Sequence, residues 1–213
     1  MQTLSTALTA ALTAKSTIIP ASTDRWMPVI DAYEPSLIAA RDACADFIAA
    51  MLAGEPPYWL TFAGRNGCGK SMLAEQIGET AARINPDSKS LLIRDVPGGM
   101  EPPRRRLCVW MDERSLARRM KEGEYDLPEY LADDFFVVLD EMGATRDPSN
   151  FVGDALSRFF QGRRDKWTVV TTNLNAAEIA ERIDARITSR LIRDLNRIVT
   201  ITARDYAFRK KQQ

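Results

Sequence analysis

The stretch GRNGCGKS, residues 64–71, stands between the apolar run YWLTFA (58–63) and MLAEQIGETAARI (72–84). It matches the pattern G-x-x-x-x-G-K-[S/T], with Gly64, Gly69, Lys70 and Ser71 in the required places between a strand-like and a helix-like segment. Glycines, here with Gly67 as a third, let the backbone curl so that successive N–H groups point inward, and the helix that follows begins with unsatisfied N–H groups and a positive dipole end. Together these make a nest for phosphate. Lys70 is expected to reach the β- and γ-phosphates of a nucleoside triphosphate, and the Ser71 hydroxyl to complete the coordination of Mg²⁺. Arg65, Asn66, Cys68 and Met72 complete the segment expected to wrap the nucleotide, with Cys68 read as a filler position.

Outward from this loop, apolar runs recur at 58–63, 107–111 (LCVWM), 135–139 (FFVVL), 167–171 (WTVVT) and 198–202 (IVTIT), with helical patterns between most of them. That alternation predicts an α/β fold around a central parallel five-stranded sheet. The further run LLIRDV (91–96) is separated from the second strand by PGGMEPPRRR and is not assigned to the sheet. Ahead of the loop, SLIAARDACADFIAAMLAG (36–54) has helical periodicity, Ser36 as an N-cap candidate behind Pro35, and Gly54 at the stop position. Residues 1–26 read as a tail or a short partner-docking helix with Leu4, Leu8 and Leu12 on one face, and residues 27–213 as one domain.

Composition narrows the chemistry. The chain has 213 residues, 45% of them hydrophobic, enough for one sizeable core. Lys plus Arg equals Asp plus Glu at 29 each, so contact with nucleic acid would need a local basic patch. There is no histidine, which excludes Ser-His-Asp and Cys-His catalysis and leaves carboxylates, Lys, Arg and metal-bound water. Cys44, Cys68 and Cys108 form no Cys-x-x-Cys pair, which argues against zinc and against a disulfide framework and fits a reducing cytoplasm. No 18-residue apolar run predicts a membrane span.

The run FFVVLDEMG (135–143) ends a buried strand with two carboxylates, at the strand end that faces the ligand crevice of a parallel sheet. Asp140 is expected to support Mg²⁺ and Glu141 to polarise an attacking water. The next strand ends in Thr171, Thr172 and Asn173; the Asn173 amide, both donor and acceptor, suits a sensor of the γ-phosphate, while Asn175 serves better as cap of the helix that follows. In DARITSRLIRD (184–194), Arg186 and Arg190 share a helix face, and Arg190 is the leading candidate for an arginine finger.

Taken in order, GRNGCGKS, VVLDEMG, TVVTTNL and DARITSRL resemble the ATPase core of the AAA+ initiator group, and within it the bacterial replicative helicase loaders of the DnaC/DnaI type and the IstB-type helper ATPases of transposition. The resemblance implies a three-layer P-loop (ASCE/AAA+) fold without a separate helical lid domain. It also implies ATP and Mg²⁺ bound between subunits of a homo-oligomer, with Arg190 supplied to the neighbour and Arg186 as a second arginine of the same box. The implied partners are a replicative helicase or a transposase, and single-stranded DNA. Two departures stand out: there is little room ahead of residue 27 for a helicase-binding domain, and Ala207 stands where the family has an arginine after the tyrosine of ARDYAFRKK.

Two basic clusters are candidates for tracking single-stranded DNA: Arg104–Arg106, and Arg163, Arg164 and Lys166. Two other readings compete with an ATP-driven assembly factor. One is a P-loop kinase of a small molecule, which would have no need of Asp140-Glu141 together with Asn173 and a Ser-Arg-Leu box. The other is a binding module that holds ATP without hydrolysing it.

Overall fold

A computed structural model describes residues 34–85, 92–94, 108–145, 151–193 and 195–205. The first described helix, α1 (Pro35–Ala53), starts with Pro35 inside its first turn and ends on Gly54 in the left-handed conformation (φ 75°). The N-cap is Glu34 rather than Ser36, whose hydroxyl donates to Glu34 Oε1 (2.8 Å) and accepts the Thr202 N–H (3.1 Å). Ser36 is therefore spent on tying α1 to the end of the last strand instead of capping a helix.

The chain then alternates β1 (Trp59–Gly64), α2 (Lys70–Ile84), β2 (Leu92–Arg94), β3 (Cys108–Asp112), α3 (Glu113–Lys121), α4 (Leu127–Asp133), β4 (Phe136–Met142), α5 (Phe151–Gly162), β5 (Trp167–Thr172), α6 (Ala176–Ile179), a π-helical turn (Ala180–Asp184), α7 (Ala185–Ile192) and β6 (Arg197–Ile201). The strands form one sheet in the order β2-β3-β4-β5-β1-β6. Every pairing is parallel. The expected five strands are all present, but the sheet has six, because part of the unassigned LLIRDV run pairs with β3 as a three-residue edge strand. Its residues are only half-buried or exposed, so it lacks the buried apolar signature that marks the central strands.

Alternate residues of the strands feed two cores, one on each face of the sheet. Leu60, Phe62, Trp110, Phe136, Val138 and Val169 pack with α1 and α2 through Phe47, Leu73 and Ile77. Trp59, Val109, Met111, Val137, Leu139 and Val170 pack on the opposite face with Leu116, Leu131, Phe159, Phe160 and Leu191 of α3, α4, α5 and α7. The result is a three-layer α/β structure in which period-2 alternation in each strand sorts side chains between the layers. No helix among the described residues is long and apolar enough to cross a membrane.

Arg163 corrects one expectation. It is fully buried, and its guanidinium donates to Thr168 Oγ1 (3.0 Å) and to the carbonyls of Leu131 (3.3 Å), Asp134 and Trp167. Burial lowers its pKa to about 9, partly opposed by Asp134 and Asp133. Lys166 is likewise engaged by Ala132 O (2.7 Å) and Asp133 (3.0 Å). This cluster closes the α4–β4 and α5–β5 junctions and presents only Arg164 fully to solvent, so it is no track for DNA. Arg104–Arg106, the Leu4/Leu8/Leu12 stripe, the boundary at residue 26 and Ala207 lie outside the described residues.

Candidate functional site

Strands β4, β5 and β1 are neighbours, so their carboxyl ends bring three loops together at one edge. The loop after β1 holds the glycine-rich stretch. Gly69, at φ 104°, is the N-cap of α2 and provides no side-chain hydrogen bond to it, which leaves the first amides of the helix aimed at the loop's concave side. Gly67 is also left-handed (φ 73°), and a Cβ there would lie 2.2 Å from the Asp205 carboxyl carbon. Arg65 and Asn66 are exposed on the loop, whereas Cys68 is buried and Met72 packs at the edge of the core.

Lys70 is buried, and its ammonium donates to Gly64 O (2.9 Å), Arg65 O (2.8 Å) and Asn173 Oδ1 (2.9 Å). The same ammonium lies 3.9 Å from Cys68 Sγ. Lys70 is thereby held over the loop, and the end of β5 is joined directly to it. Asn173 is exposed, and Asn175 rather than Asn173 caps α6, in a reciprocal capping box with Glu178.

The second half of the site is built on a bulge. Leu139 pairs with Val170 and Met142 with Thr172, so β4 spends Asp140 and Glu141 where β5 spends only Thr171. Glu141 takes the left-handed conformation (φ 56°), which is costly for a residue with a Cβ and persists only where the surroundings impose it. What imposes it here is Thr171: its hydroxyl accepts the Glu141 N–H (3.0 Å) and donates to Asp140 Oδ1. Through this bulge, consecutive carboxylates are sorted, with Asp140 tucked in at 9% exposure and Glu141 turned to solvent. Asp140 Oδ1 also accepts from Ser71 Oγ (3.0 Å), which joins the first turn of α2 to β4.

These residues fit a magnesium-bound nucleotide. The adjacent oxygens are one hydroxyl, Ser71, and one carboxylate, Asp140, a sparse and hard donor set that suits Mg²⁺, an ion that keeps waters and takes phosphate oxygens for its remaining positions. Positive charge at Lys70 and the uncapped α2 amides provide the anion side.

Arg186 and Arg190 both lie on α7, Arg186 exposed and Arg190 half-buried. No hydrogen bond or ion pair among the described residues joins either side chain to Lys70, Asp140, Glu141 or Asn173, so the structure brings four of the predicted groups together and leaves these two apart. Sequence reading missed Thr171 as the organiser of the bulge, although a Thr-Thr pair at a strand's carboxyl end was visible. It also missed Glu113, a buried carboxylate whose position just past β3 was the only hint.

No family model matches the sequence, and no curated protein matches it either. Among solved structures, the crystal structure of the DnaC helicase loader superposes with a TM-score of 0.53 at 21% identity, covering 76% of this chain and 90% of that one. DnaI gives 0.56 at 20% identity, covering 78% of this chain and 84% of that one. The replication initiator DnaA bound to AMPPCP and single-stranded DNA gives 0.55 at 14% identity, covering 80% of this chain and half of that one. At these identities the likeness is one of fold: the chain shares the three-layer α/β architecture of the loaders and the initiator.

Proposed function

We propose that this chain is an ATPase of the helicase-loader type, acting in replication initiation, which binds ATP between subunits and uses its hydrolysis to control assembly on a replicative helicase and single-stranded DNA. The observation that carries the reading is the convergence of Lys70, Ser71, Asp140, Glu141 and Asn173 at one sheet edge, with Lys70 bonded to Asn173, Ser71 to Asp140, and Asp140 and Glu141 joined through Thr171. It is supported by the fold shared with DnaC, DnaI and DnaA.

In this account the α2 amides and Lys70 hold the phosphates, and Lys70 exchanges its loop carbonyls for β- and γ-phosphate oxygens. Ser71 and Asp140 would hold Mg²⁺, which when bound would neutralise charge developing on the phosphates. Glu141, exposed on its bulge, accepts a proton from a water whose oxygen bonds to the γ-phosphorus as the bond to the β-bridging oxygen breaks, giving ADP and phosphate. Asn173, already bonded to Lys70, reports through that bond whether the γ-phosphate is present. Arg190 completes the site of an adjacent subunit. Exposed Ile192 (59%) and Leu195 (68%) beside it are suited to burial in that contact.

For single-stranded DNA the described surface favours α3 over the cluster at Arg163, Arg164 and Lys166. Arg114, Arg118 and Lys121 line a cavity of about 380 Å³ together with Glu122, which pairs with Arg118 (3.0 Å), and exposed Tyr125 and Tyr130 follow on the same helix–turn–helix segment. Cations for the backbone and rings for stacking bases are the combination that binds single strands without sequence preference. The test is ATP turnover by the purified chain with and without an oligo(dT) strand: DNA-responsive turnover that vanishes in Lys70→Ala supports the reading, and absence of turnover under all conditions rejects it.

A further inference from the structure

Glu113 is the first residue of α3 and is only 1% exposed, yet it carries a carboxylate. Its position is set by Asp112, which caps α3 by accepting the Ser115 N–H (2.9 Å) and which lies opposite Asp140 in the β3–β4 register. From there Glu113 reaches across to the chain just beyond Glu141. Oε2 accepts the Gly143 N–H (2.5 Å) and Oε1 accepts the Thr145 N–H (2.8 Å). A buried carboxylate that spends both oxygens on the backbone of one turn is a strong anchor, since such charge-assisted bonds are about twice as strong as neutral ones.

The anchored turn is the one that aims Glu141. Ala144 N–H bonds back to Glu141 O (3.0 Å), closing the turn on the left-handed residue. On its other side Gly143 is so close to Leu174, beside Asn173, that a Cβ would lie 2.4 Å from Leu174 Cδ1. The turn is thus clamped between α3 and the end of β5. Thr145, at its far end, also lines the cavity that Arg114, Arg118 and Lys121 of α3 line, with Glu122 paired to Arg118 beside them. One helix therefore carries the cationic face at its surface and the anchor of the Glu141 turn at its buried start.

We infer that Glu113 is a positioning residue for hydrolysis, which holds the Gly143–Thr145 turn, and with it Glu141, against α3, so that a phosphodiester strand on the α3 cations changes turnover at Glu141. This rests on the proposed ATPase reading. Glu113 contacts no reacting atom in this account; it acts through the turn. Its removal should leave ATP binding alone and impair the step that needs Glu141 aimed.

The experiment compares the full chain with Glu113→Gln and Glu113→Asp, measuring ATP affinity, KM, kcat and the fold-response of kcat to oligo(dT). The expected result is an ATP affinity and KM within about twofold of the parent, a kcat lower by on the order of 10- to 100-fold, as a misplaced group costs, and a response to oligo(dT) reduced to about one. Arg118→Ala should weaken the response in the parent and add nothing in the Glu113→Gln background, because the path is already cut. If Glu113→Gln does not fold, Glu113→Asp, which keeps the charge and shortens the reach, must show the same split. A parent with DNA-responsive turnover beside a folded Glu113 variant that matches it in kcat and response would overturn the inference alone. A parent without turnover would overturn the ATPase reading as well.

Discussion

The carboxyl edge of the sheet and helix α7 hold their functional groups in opposite ways. At the edge, each side chain is fixed by a residue far away in sequence: Lys70 by Asn173, 103 positions on, and Ser71 by Asp140, 69 positions on. On α7 the order is local. Asp184 caps the helix through the Arg186 N–H (2.6 Å), Arg193 Nη2 donates to Ser189 Oγ (3.3 Å), and Ile187 and Leu191 anchor the inner face, while Arg186 and Arg190 end in no pair among the described residues. The difference teaches where the chain is self-sufficient. On the proposed reading, the half that would hold nucleotide is complete within one subunit and the arginine half would serve a neighbour.

Substitutions can break or sharpen this contrast. Lys70→Ala should have the largest effect, bringing ATP binding and turnover to background in a nucleotide-binding and phosphate-release assay, because the cation that bridges the loop and the end of β5 is gone. Arg190→Ala should keep ATP binding while lowering kcat by roughly 10³-fold or more, the range seen for arginine fingers; loss of binding instead would mean that the arginine serves its own subunit's nucleotide. Glu141→Gln should also bind ATP normally, with turnover lowered on the order of 10²-fold or more as a general base is lost, and normal hydrolysis would remove Glu141 from the mechanism.

Two smaller effects concern the frame. Arg163→Ala leaves a cavity and up to four unpaired acceptors, so chemical denaturation should show a loss of about 3 kcal/mol or more, against less than about 0.5 kcal/mol for its exposed neighbour Arg164→Ala. Equal effects would contradict the division between a structural and a solvated arginine. Burial raises the Cys44 and Cys108 thiols to about 12, so both should resist alkylation in the folded protein at pH 8. Because their folded pKa values exceed the ordinary value of 9.0, this contribution to stability is complete below pH 9 and is lost as pH rises toward 12; rapid labelling at pH 8 would contradict it.

What the sequence made legible follows the strength of the physical constraint. The central strands are buried on both faces, so their apolar runs stood out, and the turn between β1 and α2 was readable because its left-handed backbone demands glycines at set spacing. The edge strand at Leu92–Arg94 was not legible, since three half-exposed residues carry no such pattern. Arg163 misled for a related reason: in sequence, a basic pair after a helix looks solvated, and only the packing of α4 and α5 reveals that carbonyls from two junctions converge on one guanidinium. The bulge at Asp140–Glu141 and the anchor at Glu113 depend on pairing between strands and on a backbone turn, neither of which leaves a local signature. Asn173 was legible in its place at the end of β5, but its bond to Lys70 was not.

The most direct test of a site shared between subunits is ATP turnover per subunit over a wide range of protein concentration, for the parent, for Glu141→Gln, for Arg190→Ala and for an equimolar mixture of the two variants. The account predicts that specific activity of the parent climbs with concentration and that the mixture recovers activity that neither variant has alone, since some interfaces then combine an intact Glu141 with an intact Arg190. Specific activity that is independent of concentration, with a mixture no better than its parts, would contradict it and assign the whole reaction to a single subunit.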